Sequence, residues 1–167
     1  MLRKIKDFFL NKQSEKQVEN NSFLIPVSGQ LINLDEVPDE VFSQKIIGDG
    51  FAINPEDGDV FSPVDGLITG VFPTKHAISL KDNSGVEILI HFGLDTVTLN
   101  GKGFTTYVEE GSIVKAGDLL LKVDIDEIKD KVPSIVMPVI FVDLNGKTFK
   151  YNIGKVVSKQ NGIVTLQ

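Results

Sequence analysis

Ten short apolar segments constrain the fold of this chain more than any other feature of its sequence. Each is four to eight residues long and rich in β-branched or aromatic side chains, and Gly, Asp, Asn or Pro residues separate the segments. Segments of this length and spacing are typical of an antiparallel sandwich or barrel, so we predict an all-β fold. The segments are FLIPV (23–27), QLINL (30–34), VFSPV (60–64), LITGVF (67–72), AISL (77–80), VEILIHF (86–92), LLLKV (119–123), IVMPVIFV (135–142), TFKYNI (148–153) and GIVTL (162–166).

Two polar stretches predict short helical turns inside this β-rich region. One is VPDEVFSQ (37–44). The other is DIDEIKDKVP (124–133), in which Ile125 and Ile128 share one helical face and Pro133 ends the helix. We therefore expect helix to be a minor component of the domain.

A short sequence echo suggests two related halves. The tetrapeptide PVSG (26–29) recurs as PVDG (63–66), and apolar residues follow both copies. A single echo is a small signal, but it fits a β fold that is built from two similar halves.

The N-terminal region differs in character from the rest of the chain. Residues 1–12, MLRKIKDFFLNK, predict a basic amphipathic helix, with apolar and basic side chains on opposite faces. Such a helix suits binding to an anionic membrane surface, and the alternative is a frayed tail or a helix docked on the domain. Residues 13–22 are polar and predict a flexible linker. The β-rich domain is expected to occupy residues 23–167.

Composition excludes several classes of function. The chain has no cysteine, which rules out disulfides, thiolate catalysis and zinc–thiolate sites and suits a reducing cytoplasm. Its net charge of −6 argues against a nucleic-acid partner and favours a basic protein partner. Neither a membrane-spanning apolar run nor a signal-peptide pattern is visible. We expect a cytoplasmic protein, with peripheral contact at the inner membrane face through residues 1–12.

The two histidines of the chain flank a predicted hairpin. The sequence AISLKDNSGVEILI (77–90) predicts two antiparallel strands joined by a turn at residues 83–85. His76 and His91 are each seven or eight residues from the turn centre, so they should face each other with Cβ atoms about 5 Å apart. A register slip of one residue would turn the rings to opposite faces of the sheet.

Two facing imidazoles favour phosphoryl transfer through histidine. A neutral imidazole, with an ordinary pKa of about 6.5, can attack a phosphoryl group. The second ring can donate a hydrogen bond to the phosphoryl oxygens. Thr74 is two residues before His76, on the same predicted strand face, and could hold that ring's orientation. The candidates for a water-excluding apolar rim are Val41, Phe42, Phe72, Ile88, Leu89, Ile90 and Phe92.

Several motifs together resemble one protein family. FPTKHA (72–77) and EILIHFGLDTV (87–97) resemble the two histidine motifs of the glucose-type IIA component (EIIA) of the bacterial phosphoenolpyruvate-dependent sugar phosphotransferase system. The resemblance covers residues 23–166 and keeps the family's order. The other matching segments are residues 25–55, SPVDGLI (62–68), GKGF (101–104), EEGSIVKAGDLLLKVD (109–124) and MPV (137–139).

This resemblance implies a fold, a reaction and two successive partners. The fold would be an antiparallel β-sandwich or flattened barrel of duplicated-hybrid-motif type. His91 would accept a phosphoryl group from the phosphorylated histidine-containing carrier protein HPr and pass it to a cysteine of the IIB domain of a sugar permease. The protein would thus be a phosphotransferase component that couples phosphorylation to sugar uptake. His76 would support the phosphoryl group, and Thr74 would orient His76.

The resemblance also implies a partner-binding face, and it leaves open whether the protein has regulatory protein targets as well. Asp39 and Asp95 would meet arginine side chains of the carrier. No cofactor would be required, but His76 and His91 could hold zinc when a partner supplies a carboxylate. The apolar residues of the docking face would be Val41, Phe42, Ile46, Ile47, Phe72, Leu89 and Val97.

Three other functions remain open at this point. A zinc-dependent hydrolase of the duplicated-hybrid-motif class needs three protein ligands, which two histidines and a carboxylate could supply. A swinging-arm carrier needs a modified lysine at a tight hairpin tip, and its usual sequence context is absent. A binding module without chemistry would leave the histidines as structural residues. Phosphorylation by the phosphotransferase proteins, or peptide hydrolysis that depends on added zinc, would distinguish among them.

Overall fold

The structure, a computed structural model, describes residues 22–167. The predicted amphipathic segment (1–12) and all but the last residue of the predicted linker (13–22) therefore lie outside the described residues. Ser22 already belongs to the first strand. The strands of the described part are β1 (Ser22–Phe23), β2 (Gly29–Asn33), β3 (Asp49–Pro55), β4 (Asp59–Phe61), β5 (Gly66–Val71), β6 (Ala77–Asp82), β7 (Glu87–His91), β8 (Phe104–Thr106), β9 (Ile113–Val114), β10 (Leu119–Val123), β11 (Met137–Asp143), β12 (Phe149–Tyr151), β13 (Gly154–Val156) and β14 (Val164–Leu166).

The strands form antiparallel sheets, as the sequence predicts. The largest has eight strands in the order β13-β2-β3-β11-β7-β6-β5-β9, and two three-stranded sheets have the orders β4-β10-β8 and β1-β14-β12. The predicted β-sandwich is therefore confirmed. The alternative of a flattened barrel is wrong, because the sheets do not close on themselves.

The sequence echo marks two equivalent places in the large sheet. Gly29 begins β2 and Gly66 begins β5, and each strand pairs with the strand that follows it. A Cβ atom on Gly29 would lie 2.0 Å from the carbonyl oxygen of Asn54, and one on Gly66 would lie 2.2 Å from that of Lys81. Glycine is required at both places because the neighbouring backbone approaches so closely.

The eight-stranded sheet is buried on both faces where it carries the site. Along β7, Ile88 and Ile90 pack into the main core, whereas Leu89 packs into a second apolar cluster on the opposite face. This alternation follows from the two-residue period of a strand. It explains why the sequence of β7 is apolar at every central position. The second cluster contains Leu34, Val37, Phe42, Ala52, Ala77, Leu89, Leu94, Val136 and Ile140.

Both predicted helical turns are present and short. The helix Glu40–Ser43 begins after Asp39, whose Oδ1 accepts a hydrogen bond from the Val41 amide at 2.9 Å. The helix Ile125–Ile128 begins after Asp124 and ends well before Pro133. Neither these nor any other helix among residues 22–167 is long and apolar enough to cross a bilayer.

Candidate functional site

The predicted hairpin forms, but His76 lies just outside its ladder. β6 and β7 are antiparallel, and Ala77, not His76, is paired with His91. By strand alternation alone, this register would send the two histidine side chains to opposite faces. The rings nevertheless meet, because residue 76 belongs to the turn before β6 and does not follow the strand pattern. The predicted contact is therefore present, whereas the predicted direct cross-strand pairing is wrong.

A tight turn between β5 and β6 brings His76 to the site. The Phe72 amide donates to the Ala77 carbonyl at 3.0 Å, and the Lys75 amide donates to the Phe72 carbonyl at 2.7 Å. Lys75 has a left-handed backbone with φ of 61°, which reverses the chain direction immediately before His76. Thr74 lies in this turn and not on a strand face as predicted, yet its Oγ1 is 2.7 Å from Nδ1 of His76.

His91 is held at one ring nitrogen by the backbone that follows it. Nδ1 of His91 is 2.8 Å from the Gly93 carbonyl oxygen, and because a carbonyl can only accept, Nδ1 carries the proton. The neutral ring therefore has its lone pair on Nε2. Gly93 has φ of 79° and is a functional residue that was not predicted from the sequence. The sequence HFG contained a usable signal, since a glycine directly after a strand often marks a turn.

The two imidazoles form the centre of an aromatic cluster. Their centroids are 4.8 Å apart, and their planes are at 77°. Phe42 packs against His91 with centroids 5.1 Å apart, and Phe72 packs edge-on against His76 at 5.5 Å. The Phe92 amide donates to the His76 carbonyl at 2.8 Å, so the backbone also ties the two histidine segments together. The relative position of the rings is thus fixed by packing and by backbone hydrogen bonds.

The surroundings keep both histidines neutral at physiological pH. Burial, assisted by the nearby His76, lowers the pKa of His91 to about 4, although the Gly93 carbonyl and Asp39 act in the opposite sense. Burial also lowers the pKa of His76, and a hydrogen bond with the backbone of Thr74 acts in the opposite sense. Neutral rings are the form that can act as nucleophile and as neutral hydrogen-bond donor.

A shallow hollow of about 270 Å³ opens above the two rings. It contains most of the predicted partner-binding residues, but the exposed Ile46 does not line it. The rim candidates Ile88, Ile90 and Phe92 are wrong, because these side chains belong to the main core. Thr96 lines the hollow and was not predicted. The lining residues are Asp39, Val41, Phe42, Ile47, Phe72, His76, Leu89, His91, Asp95, Thr96 and Val97.

Acidic side chains and exposed apolar side chains lie together around this hollow. Val41, Phe72 and Val97 all line the hollow and are each between 41 and 52% exposed, so they form one apolar patch. Asp39 and Asp95 lie among them. An exposed apolar patch with acidic residues at its edge is the composition of a transient protein–protein interface.

The chemistry available in the hollow is that of histidine. Among residues 22–167, no three His, Cys, Asp or Glu side chains are grouped so that they could hold a metal ion. The hollow offers one imidazole with a free lone pair and a second imidazole beside it, within a largely apolar lining. Fold and site together define a β-sandwich protein with two facing histidines in an exposed, partly apolar hollow.

Comparison with known proteins gives the family. The profile described as phosphoenolpyruvate-dependent sugar phosphotransferase system, EIIA 1, matches residues 21–147. The chain is 48% identical to the PTS system glucose-specific EIIA component of Mycoplasma capricolum, over 89% of this chain and 96% of that protein. It is 50% identical to part of the PTS system glucose-specific EIICBA component of Staphylococcus carnosus, over 75% of this chain and 18% of that protein.

A solved structure agrees with the sequence relatives. The glucose permease IIA from Mycoplasma capricolum superposes with a TM-score of 0.82 at 46% identity, over 86% of this chain and 94% of that one. The chain therefore belongs to the EIIA family of the phosphoenolpyruvate-dependent sugar phosphotransferase system. It is a phosphotransferase component, a phosphocarrier that passes phosphate to a IIB domain, and the zinc hydrolase alternative is not supported.

Proposed function

We propose that His91 is the phosphoryl acceptor of this phosphocarrier and that phosphorylated HPr is its donor. The observation that carries the proposal is the hydrogen bond from Nδ1 of His91 to the Gly93 carbonyl at 2.8 Å, which leaves Nε2 as the nucleophilic atom. His91 is also only partly buried, so a docked partner can reach Nε2 from the hollow.

The transfer step exchanges one nitrogen–phosphorus bond for another. The Nε2 lone pair of His91 attacks the phosphorus while the bond to the donor ring breaks, and that ring keeps the bonding electrons. A donor ring that is protonated at its other nitrogen leaves as neutral imidazole, and the positive charge passes to the His91 ring. The Gly93 carbonyl, which accepts from Nδ1–H, stabilises that charge.

His76 supports the transferred group through its own Nε2. Thr74 Oγ1 is 2.7 Å from Nδ1 of His76, and in this proposal the hydroxyl is the donor, so that the His76 proton lies on Nε2. With ring centroids 4.8 Å apart, a phosphoryl group on His91 lies within reach of that N–H donor. The donor stabilises the negative charge on the phosphoryl oxygens in the transition state.

The partners dock on the face around the hollow. Asp39 and Asp95 meet basic side chains of HPr, and the exposed apolar residues supply the contact area. The same face then meets the IIB domain, whose cysteine receives the phosphoryl group. A phosphoryl group adds a charge of about −1.5 to −2 at pH 7, so regulatory targets that bind the uncharged face would be released on phosphorylation. With these partners, the proposed site of action is the cytoplasm.

A zinc ion can complete a further mode of partner binding. His76 and His91 supply two ligands in the same hollow, and a carboxylate from a docked partner would be the third. Phosphoryl transfer itself needs no metal ion in this proposal, because His91 is the nucleophile and His76 donates the hydrogen bond to the phosphoryl oxygens.

Incubation with phosphoenolpyruvate, Enzyme I and HPr tests the acceptor. Wild-type protein should acquire one acid-labile, base-stable phosphate, and His91→Gln should acquire none. The matched variant His76→Gln should still accept phosphate but should transfer it to the IIB domain at least tenfold more slowly. Stable phosphate on His91→Gln would overturn the assignment.

A further inference from the structure

Among residues 22–167, Thr96 is the one residue with a hydroxyl side chain that lines the hollow. It is fully buried. Its Oγ1 donates a hydrogen bond to the Phe92 carbonyl at 2.8 Å. Phe92 stands between His91, whose ring is the proposed nucleophile, and Gly93, whose carbonyl holds that ring. The Thr96 hydroxyl therefore binds the backbone between His91 and the Gly93 carbonyl.

The methyl group of Thr96 contacts the same turn from a second direction. A Cβ atom built on Gly93 would be 2.5 Å from Cγ2 of Thr96, so this methyl lies directly against the Gly93 backbone. Gly93 and Asp95 both have left-handed backbones, with φ of 79° and 55°. Aspartate adopts that conformation more often than most non-glycine residues, and Asp95 does so directly before Thr96.

The other side of this backbone is held by fixed neighbours. The Phe92 amide donates to the His76 carbonyl at 2.8 Å, and the Gly93 amide donates to the Val136 carbonyl at 2.9 Å. With the Thr96 hydroxyl on the Phe92 carbonyl, polar groups on both sides of the Phe92–Gly93 peptide unit are anchored. The Gly93 carbonyl belongs to the next peptide unit, whose Leu94 amide donates to the Ser134 carbonyl at 2.9 Å. Together these bonds set the direction of the Gly93 carbonyl, and hence the position of the proton on His91.

We propose that Thr96 is a positioning residue for phosphoryl transfer. Its hydroxyl fixes the backbone of residues 92–93, so that the Gly93 carbonyl holds the Nδ1–H tautomer of His91 and leaves Nε2 facing the hollow. The consequence for the reaction rests on the proposed role of His91 as acceptor, whereas the consequence for the tautomer does not.

Substitutions that separate the hydroxyl from the methyl test this role. Thr96→Val keeps the shape and removes the hydroxyl, and Thr96→Ser keeps the hydroxyl and removes the methyl. We expect Thr96→Val to accept phosphate from phosphorylated HPr about tenfold more slowly, since a small displacement of a reacting group has large effects on rate. Thr96→Ser should stay within about threefold of wild type.

Nitrogen NMR of the His91 ring, in protein that carries no phosphate, gives a second readout. Wild-type and Thr96→Ser protein should show the single Nδ1–H tautomer, and Thr96→Val should show a mixture of both tautomers. If Thr96→Val does not fold, Thr96→Ala and Thr96→Ser form a replacement pair that differs only in the hydroxyl.

A remote buried hydroxyl provides the control for a purely structural role. Ser62 is fully buried and donates to the Val64 carbonyl at 2.7 Å, and it does not line the hollow. Ser62→Ala should lose stability but keep both the rate and the tautomer. A single tautomer and an unchanged rate in Thr96→Val would overturn the proposal. Phosphorylation of His91→Gln would instead refute the acceptor assignment and leave the NMR test of Thr96 valid.

Discussion

The rings of His76 and His91 lie at 77° to each other with centroids 4.8 Å apart, although the two residues are not paired in the β ladder. The turn that carries Thr74 and Lys75 produces this arrangement, because it releases His76 from strand alternation. The geometry of the hollow therefore depends on a few turn residues as much as on the sheet.

Thr74 is expected to control delivery of the phosphoryl group through His76. Removal of its hydroxyl in Thr74→Val frees the His76 ring to rotate and to change tautomer, so transfer to the IIB domain should slow by about tenfold. Single-turnover transfer of radiolabelled phosphate measures this rate. Thr74→Ser, which keeps the hydroxyl, should transfer within about threefold of wild type, and equal rates for the Val and Ser variants would contradict the prediction.

The lowered pKa of His91 predicts a dependence of stability on pH. The unfolded chain binds a proton at His91 below a pKa of 6.5, whereas the folded protein binds it only below about 4. Protonation between these values favours the unfolded state, so the free energy of unfolding should fall as the pH drops from 6.5 to 4. The loss due to this ring should be about 2 kcal/mol, after allowance for its partial exposure.

Urea unfolding at pH 7 and pH 4.5 measures this contribution. Carboxylates titrate in the same range, so the informative quantity is the difference between wild type and His91→Gln. The variant should lose less stability than wild type over this interval. An equal loss in both proteins would show that His91 titrates normally in the folded state.

The exposed apolar rim should act in partner binding rather than in chemistry. Val97 lines the hollow and is 52% exposed, so Val97→Ser should raise KM for phosphorylated HPr about fivefold and leave kcat unchanged. Ile113→Ser is a matched control, because Ile113 is 86% exposed on the edge strand β9 and does not line the hollow. The same KM increase in both variants would refute a specific role of the rim.

Gly93 is expected to be intolerant of a side chain for two separable reasons. Alanine at this position must adopt φ of 79°, and its Cβ would be 2.5 Å from Cγ2 of Thr96. Gly146 has a similar φ of 81° with nothing within 4 Å of a built Cβ, so Gly146→Ala isolates the backbone cost. Gly93→Ala should be less stable than Gly146→Ala by about 1–3 kcal/mol.

Phosphoryl acceptance separates the local effect of this change from the loss of stability. The Gly93→Ala variant should accept phosphate slowly, because the carbonyl that holds His91 is displaced, and Gly146→Ala should accept it at the wild-type rate. Calorimetric unfolding and acceptance assays on both variants measure the two effects. Comparable stability of the two proteins would show that Thr96 moves aside without cost.

The strands and the contact between the two histidines could be predicted from the sequence, whereas the backbone geometry that produces this contact could not. Alternating turn residues and β-branched runs marked the strands, and the hairpin of β6 and β7 followed from its turn. The left-handed Lys75 carried no signal, since lysine is not a residue that favours that conformation. Direct pairing of His76 with His91 was therefore a reasonable but wrong prediction.

The rim residues show a second limit of sequence reasoning. Ile88, Leu89 and Ile90 are all apolar, so hydrophobicity could not show which of them faces the hollow. Period-two patterns identify a face only where one side of a sheet is polar, and β7 is covered on both sides. The roles of Gly93 and Thr96 depend on contacts within a turn, which no periodic pattern encodes.

Because β7 is buried on both faces, neighbouring residues of this strand differ in which apolar cluster a substitution would disturb. Replacement of Ile88 or Ile90 disturbs the main core, whereas Leu89 packs in the smaller cluster and lines the hollow. Substitution of Leu89 alone could therefore reshape the docking hollow while the main core on the other face of the sheet keeps its packing.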